Sequence, residues 1–226
     1  FFFPAFLLRI SGSGHQAGWR RCVRVFWDNL THKKRLRQVT LPHPLQHPQR
    51  MPQDLCWQLA PCAAGRYRPW LTDRGSLTER ITARSPGMTV KVIFQGRRRL
   101  HRDELFLARR GASVMAYTRD VVLYCGAMPV VYAHSVLMPG RNGPGLRLMR
   151  GLGSMPLGAA LFTDPRIRRL KLRQQKLAPG HELARQARQA TRNEALGLLW
   201  ARRSLFITGK SPILVTEVFL PGVLTL

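Results

Sequence analysis

The chain has 226 residues, 45% of them hydrophobic, and carries 37 Lys plus Arg against 11 Asp plus Glu, a formal charge of +26. That length and apolar content suit one domain, or one and a fraction, and exclude collagen-like or wholly disordered chains. The charge first suggests nucleic acid, but six of the basic residues are Lys and the other 31 Arg, a skew that coding-base composition produces by itself. No finger, RNP-type aromatic motif or basic heptad accompanies it, so no nucleic-acid partner is expected; what remains is a positive field that draws in small anions.

Residues 1–50 differ from the rest: nine basic residues stand against Asp28 alone, no methionine precedes Met51, and the segment ends in the turn-rich run from Leu41 to Arg50. Its apolar run precedes its basic residues, the reverse of a secretory signal. Residues 1–56 are therefore expected to form a basic leader, disordered or foreign to the native protein. Folded texture begins at about Trp57. Ser76 and Glu79 have the spacing of a capping box and predict a helix ending before Pro86. Thr89 to Phe94 is a β-branched strand candidate, Gln95-Gly96 a turn, and Arg102 to Arg109 a short helical segment. Val114 to Tyr124 and Val130 to Met138, joined by Cys125-Gly-Ala-Met-Pro129, carry a hairpin signal. Val121 to Met138 is about as long as a membrane helix and nearly uncharged, but Gly126 and Pro129 break it into two strands.

The middle turns helical. Gly158 to Phe162 predicts a short helix, and Asp164-Pro165 the start of another through Lys176. After Pro179-Gly180, the stripe of Leu183, Ala187, Ala190, Ala195, Leu196, Leu199 and Trp200, with Arg185, Arg188 and Arg192 opposite, predicts a longer helix. Ser204 to Thr208 and Pro212 to Leu220 close the chain as strands about a Gly209-Lys210 turn. Hairpin-linked strands on either side of a helical middle imply an α+β domain with an antiparallel sheet.

Cys22, Cys56, Cys62 and Cys125 form no CxxC pair and have no histidine at finger spacing, so neither a zinc site nor a disulfide scaffold is expected, which fits a reducing, cytoplasmic setting. Strand alternation places Glu217 on the face of Ile213, Val215 and Phe219, and Arg119 on the face of Tyr117, Val121 and Leu123. Charges inside apolar strand faces need partners. Either the two pair with each other or face solvent, or they frame a pocket for a small anion. In the pocket, Arg would offer a bidentate fork to a carboxylate and Glu an acceptor or proton-transfer group. Arg150-Gly-Leu-Gly153 lacks the strand-to-helix context of a dinucleotide loop, Gly209-Lys210-Ser211 lacks the upstream glycine of a P-loop, and no GxSxG elbow occurs.

Ser76-Leu-Thr78, Arg119-Asp-Val-Val-Leu123, Pro156-Leu-Gly158, Leu161-Phe-Thr163, Leu199-Trp-Ala-Arg-Arg-Ser204 and, above all, Gly209-Lys-Ser-Pro-Ile-Leu-Val-Thr-Glu-Val-Phe-Leu-Pro221 follow one another in an order that resembles the chorismate pyruvate-lyase family, from about Trp57 to Leu226. The resemblance implies a single domain with about six antiparallel strands flanked by helices, the ligand lying beneath helical flaps. It implies a cofactor-free, metal-free carbon-oxygen lyase that converts chorismate to 4-hydroxybenzoate and pyruvate on the way to ubiquinone. Such an enzyme would be a cytoplasmic monomer without a transmembrane segment. The family's ligand-binding Arg and Glu match Arg119 and Glu217, the expected catalytic pair, and its main-chain contacts fall on Leu77 and Leu157; Leu77 stands where the family has a methionine. A rival from another class is a non-catalytic, small-anion effector-binding domain of the same fold, as in some transcription regulators. Those carry a winged helix-turn-helix in front, for which residues 1–56 are too Pro-rich.

Overall fold

The computed structural model describes residues 57–61, 63–107, 115–137, 144–208 and 211–226; the expected leader lies outside them. Helix α1 (Arg68–Thr72) has Pro69 in its first turn, where a missing N–H costs nothing. The Ser76 cap forms as its spacing predicts: Oγ accepts from the Glu79 N–H at 3.3 Å, and α2 (Leu77–Thr82) buries Leu77 and Ile81, one turn apart, against the sheet. Strand β1 (Met88–Arg99) then pairs with β2 (Met115–Cys125) along its whole length.

The turn expected at Gln95-Gly96 does not occur. Both residues continue β1, opposite Arg119 and Thr118, and a bulge between Val92 and Phe94 sets that register. Without the extra residue Phe94 would face Arg119; with it, Gln95 does, so the bulge re-aims an amide at a guanidinium. Gly96 leaves room for the Phe94 ring, which a Cβ would approach to 3.2 Å.

β2 and β3 (Met128–Leu137) form the expected hairpin about Gly126, whose φ of +59° suits glycine. Helices α3 (Pro144–Gly151) and α4 (Leu157–Thr163) follow, then β4 (Arg168–Leu177), α5 (Glu182–Thr191), β5 (Leu199–Thr208) and β6 (Ser211–Phe219). Two expectations fail here. The helix from Asp164 to Lys176 is replaced by β4. Asp164 Oδ1 accepts from the Arg166 N–H at 3.0 Å in a local turn, and the chain then enters a ladder with β5. The stripe through Trp200 is also cut short. Arg192 adopts the left-handed conformation at φ +53°, and the Asn193 N–H bonds the Arg188 carbonyl at 3.1 Å, a helix stop that frees Leu199 and Trp200 for β5.

All six strands are antiparallel in the order β1-β2-β3-β6-β5-β4. The domain is therefore α+β, as expected, with α1 to α4 on one face and α5 with the 3₁₀ turn Arg102–Leu107 on the other. On the first face Trp70, Leu71 and Ile81 pack on Val121, Leu123 and Phe219, while Met149, Leu157 and Leu161 pack on Phe206 and Ile213. On the second, Leu183, Ala184 and Ala187 of α5 pack on Val122, Tyr132 and Val218. Between the two apolar clusters of the first face lies a gap over which the strand face carries polar side chains.

Candidate active site

That gap is a cavity of about 590 Å³ of space not filled by protein atoms, counting its open mouth, and all four residues expected at the site line it: Leu77, Arg119, Leu157 and Glu217. Its floor comes from five strands, through Arg119, Val121, Ala133, Ser135, Val215, Glu217, Ser204, Phe206 and Arg169, and its roof from the start of α2 and from α4 along its length. Leu77 and Leu157 are the first residues of those helices, so their N–H groups have no intrahelical acceptor. A Cβ on Gly158 would meet Thr78 Oγ1 at 3.0 Å; the glycine lets the two roof helices close on each other.

Arg119 is 1% exposed. Its Nη1 donates to Gln95 Oε1 at 2.5 Å and to the Gly153 carbonyl at 2.9 Å, and its Nη2 to the Met155 carbonyl at 3.0 Å. Among the described residues these bonds use three of the five N–H donors and leave one on Nε and one on Nη2, a side-on fork of the kind that grips a carboxylate. None of the three acceptors is an anion, and burial pushes the guanidinium down from its usual range. A bound carboxylate would neutralise it.

Glu217 does not pair with Arg119. Arg202, directly opposite it on β5, donates from Nε to one Glu217 oxygen and from Nη2 to the other at 3.4 Å. The same guanidinium donates from Nη1 to the carbonyls of Trp70, at 3.0 Å, and Asp73, at 2.8 Å. Arg202 thus ties the Glu217 carboxylate to α1 and to the segment that follows it, and the acid, which lines the cavity, is held in one orientation.

The family model for chorismate lyase matches residues 51–225. The chain belongs to the chorismate lyase family. It is 43% identical over 172 residues to the probable chorismate pyruvate-lyase of Nitrosospira multiformis, covering 75% of this chain and 95% of that one. It is 44% identical over 167 residues to the protein of that description from an Azoarcus species, covering 73% and 88%. Among solved structures, the C-terminal domain of the histidine utilization repressor from Pseudomonas syringae aligns with 60% of this chain and 92% of that one, at 10% identity and a TM-score of 0.44.

Two charged residues at this cavity, Arg169 in its lining and Arg202 behind Glu217, escape a reading of the sequence. Arg202 sits beside Arg203 in a pair that resembles surface charge, although alternation sends them to opposite faces of β5. Arg169 falls in the segment expected to be helical. The loop after Arg150, which carries no nucleotide signature, proves to supply the Gly153 and Met155 carbonyls that hold Arg119.

A second charged cluster lies on the other face of the sheet. His134 Nδ1 meets Asp120 Oδ1 at 2.5 Å, and its Nε2 lies 3.1 Å from Glu104 Oε1. Arg98 bonds Asp120 at 2.7 Å and Arg203 bonds Asp103 at 2.6 Å. His101, Glu104 and His134 bring ligand-type atoms within 4.8 Å of one another, but the charge balance there favours a proton over a dication. Three carboxylates face two arginines, and a single positive charge on His134 completes the balance. Burial alone would push the His134 imidazole down; Glu104 and Asp120 outweigh it and raise it to about 9. Burial alone would push the Glu104 carboxyl up; His134, His101 and Arg203 bring it down to about 2.

Proposed function

We propose that this protein converts chorismate to 4-hydroxybenzoate and pyruvate, as the first step towards ubiquinone, in the cytoplasm and without metal or cofactor. The observation that carries the reading is that one cavity is lined both by a buried arginine on β2 that keeps a two-donor fork unused among the described residues and by a fixed glutamate on β6, two strands away. Membership of the chorismate lyase family supports it. Among the described residues no helix is long and apolar enough to cross a membrane.

Chorismate carries a ring carboxylate, a hydroxyl opposite it, and an enolpyruvyl ether on the carbon beside the hydroxyl. Arg119 holds the ring carboxylate, the Leu77 and Leu157 N–H groups add donors at the roof, and Glu217 accepts from the hydroxyl. The ether C–O bond breaks with its electrons leaving on the pyruvate fragment. The hydrogen on the hydroxyl-bearing carbon leaves as a proton, its C–H electrons completing the aromatic ring, and a proton added at the fragment's methylene carbon gives pyruvate. Aromatisation supplies the driving force, so the protein contributes orientation and electrostatics more than a nucleophile.

The test is turnover of chorismate by the purified chain, following both products. Stoichiometric 4-hydroxybenzoate and pyruvate are expected; a protein that binds 4-hydroxybenzoate without forming it would be an effector-binding domain instead. If Glu217 takes the proton, Glu217→Gln lowers kcat by roughly 10²–10⁴ with KM within about threefold. A fall in affinity as large as the fall in kcat would reduce Glu217 to a binding group. We further propose that residues 57–226 form the catalytic domain and that residues 1–50 are dispensable. Their deletion should leave kcat/KM unchanged, and a folded but inactive truncation would overturn that assignment.

A further inference from the structure

We propose that Arg169 and Ser204 form a second anion subsite in this cavity, which takes the carboxylate of the enolpyruvyl group and so distinguishes the dianionic substrate from the monoanionic product. The proposal rests on the lyase reading above and extends it to the half of the cavity that reading leaves unused.

Arg169 projects from edge strand β4 into the cavity, beside a register shift between Arg169 and Lys171 that places it opposite Phe206. Its Nε and Nη2 both donate to Ser204 Oγ, at 2.9 and 2.5 Å, and its Nη1 donates to the Arg74 carbonyl at 2.7 Å. The guanidinium also lies 5.6 Å from the ring centroids of both Phe162 and Phe206. The side chain is thus fixed, yet it makes no ion pair among the described residues. Among the described residues three of its five donors are used, which leaves one on Nη1 and one on Nη2, an end-on fork. Ser204 Oγ accepts two bonds, so its own O–H is left to donate. Burial, and then the like charge of Arg202, bring Arg169 down to about 10; a cation so placed gains from an anion of its own.

The order of the strands gives the site a direction. Arg119, Ser135, Glu217, Ser204 and Arg169 stand on β2, β3, β6, β5 and β4, five neighbouring strands. At about 4.8 Å per strand the two arginine backbones are roughly 19 Å apart, and both long side chains reach inward. The cavity therefore presents a cation at each end and a carboxylate between them. With the ring carboxylate on Arg119 and the hydroxyl on Glu217, the neighbouring ether directs the enolpyruvyl carboxylate towards Ser204 and Arg169. Once the C–O bond breaks, the subsite holds pyruvate, while 4-hydroxybenzoate keeps only the contacts of the other half.

The experiment compares chorismate with 4-hydroxybenzoate in the full chain. Arg169→Met should raise KM for chorismate roughly 10- to 100-fold, the scale of a lost charge-assisted bond, while Kd for 4-hydroxybenzoate stays within about twofold. Ser204→Ala should raise KM several-fold with the same selectivity. If Arg169→Met fails to fold, Arg169→Lys carries the test. It keeps the charge but not the fork, and should show the same split at smaller size. Parallel weakening of both ligands, or an unchanged KM for chorismate, would overturn the subsite. Absence of turnover by the unsubstituted chain would instead overturn the lyase reading, and this subsite with it.

Discussion

Arg119→Ala is expected to weaken chorismate and 4-hydroxybenzoate alike, by about 2–5 kcal/mol or roughly 30-fold to several thousand-fold in Kd. The effect is large because the loss is double. The variant removes the free fork, and it also removes the three bonds that tie Gln95 of β1 and the Gly153 and Met155 carbonyls to the cavity floor. Those carbonyls belong to the segment leading into α4, whose first residue forms part of the roof. Product release should therefore quicken along with the loss of affinity, since lid opening commonly sets that step. Arg119→Lys separates the two contributions: it keeps a charge but cannot span two carboxylate oxygens while bonding Gln95 and both carbonyls. Calorimetric titration with 4-hydroxybenzoate, with stopped-flow release rates, reads both quantities. Retention of wild-type affinity by Arg119→Ala would show that the ring carboxylate binds elsewhere.

The contrast between Arg119 and Arg169 shows which parts of the site are legible in the sequence. β2, β3 and β6 are central strands, and their apolar alternation marks both the strands and the lone charges that interrupt it; Arg119 and Glu217 stand out for that reason. The same regularity located the hairpin, while the Ser76 and Glu79 pair located the start of α2. β4 is an edge strand with the sequence Arg168-Arg-Leu-Lys-Leu-Arg-Gln-Gln-Lys-Leu177. Its residues favour helix intrinsically and alternate poorly, because much of one edge and much of one face meet solvent. The ladder with β5, with a two-bond bridge from Gln58 to Gln174 on the outer edge, makes it a strand. Arg169 was hidden with it. Arg202 was hidden differently: the partner of Glu217 is fixed by the β5–β6 register, a long-range property that neither segment displays alone. The bulge in β1 is of the same kind, since Gln95-Gly96 is a fair turn signal that pairing with β2 overrides.

His134→Ala should cost about 3–5 kcal/mol of stability, a fall in Tm of roughly 6–20 °C for a domain of this size. The imidazole is fully buried between Asp120 and Glu104, and its removal leaves two carboxylates facing each other with Arg98 and Arg203 insufficient to balance three acids. Replacing Glu104 and His134 together by leucine should cost less than the single change, because no new unpaired charge is left on Glu104. The pH dependence has a defined sign. His134 titrates at about 9 in the fold against 6.5 when free, so its contribution is complete below about 6.5 and is lost as pH rises through 9. Glu104 titrates at about 2 against 4.5, so its contribution is complete above about 4.5 and is lost as pH falls towards 2. Urea unfolding should therefore place the cluster's greatest support between about pH 4.5 and 6.5, with the alkaline limb flattened in the His134→Ala variant. The cluster and the cavity occupy opposite faces of the same strands, where Asp120 follows Arg119 and Thr216, which accepts from Arg203 Nε at 2.9 Å, precedes Glu217. Below its lowered Tm the variant should keep its KM for chorismate; a selective loss of substrate affinity in a folded His134→Ala protein would show instead that the cluster sets the position of the floor residues.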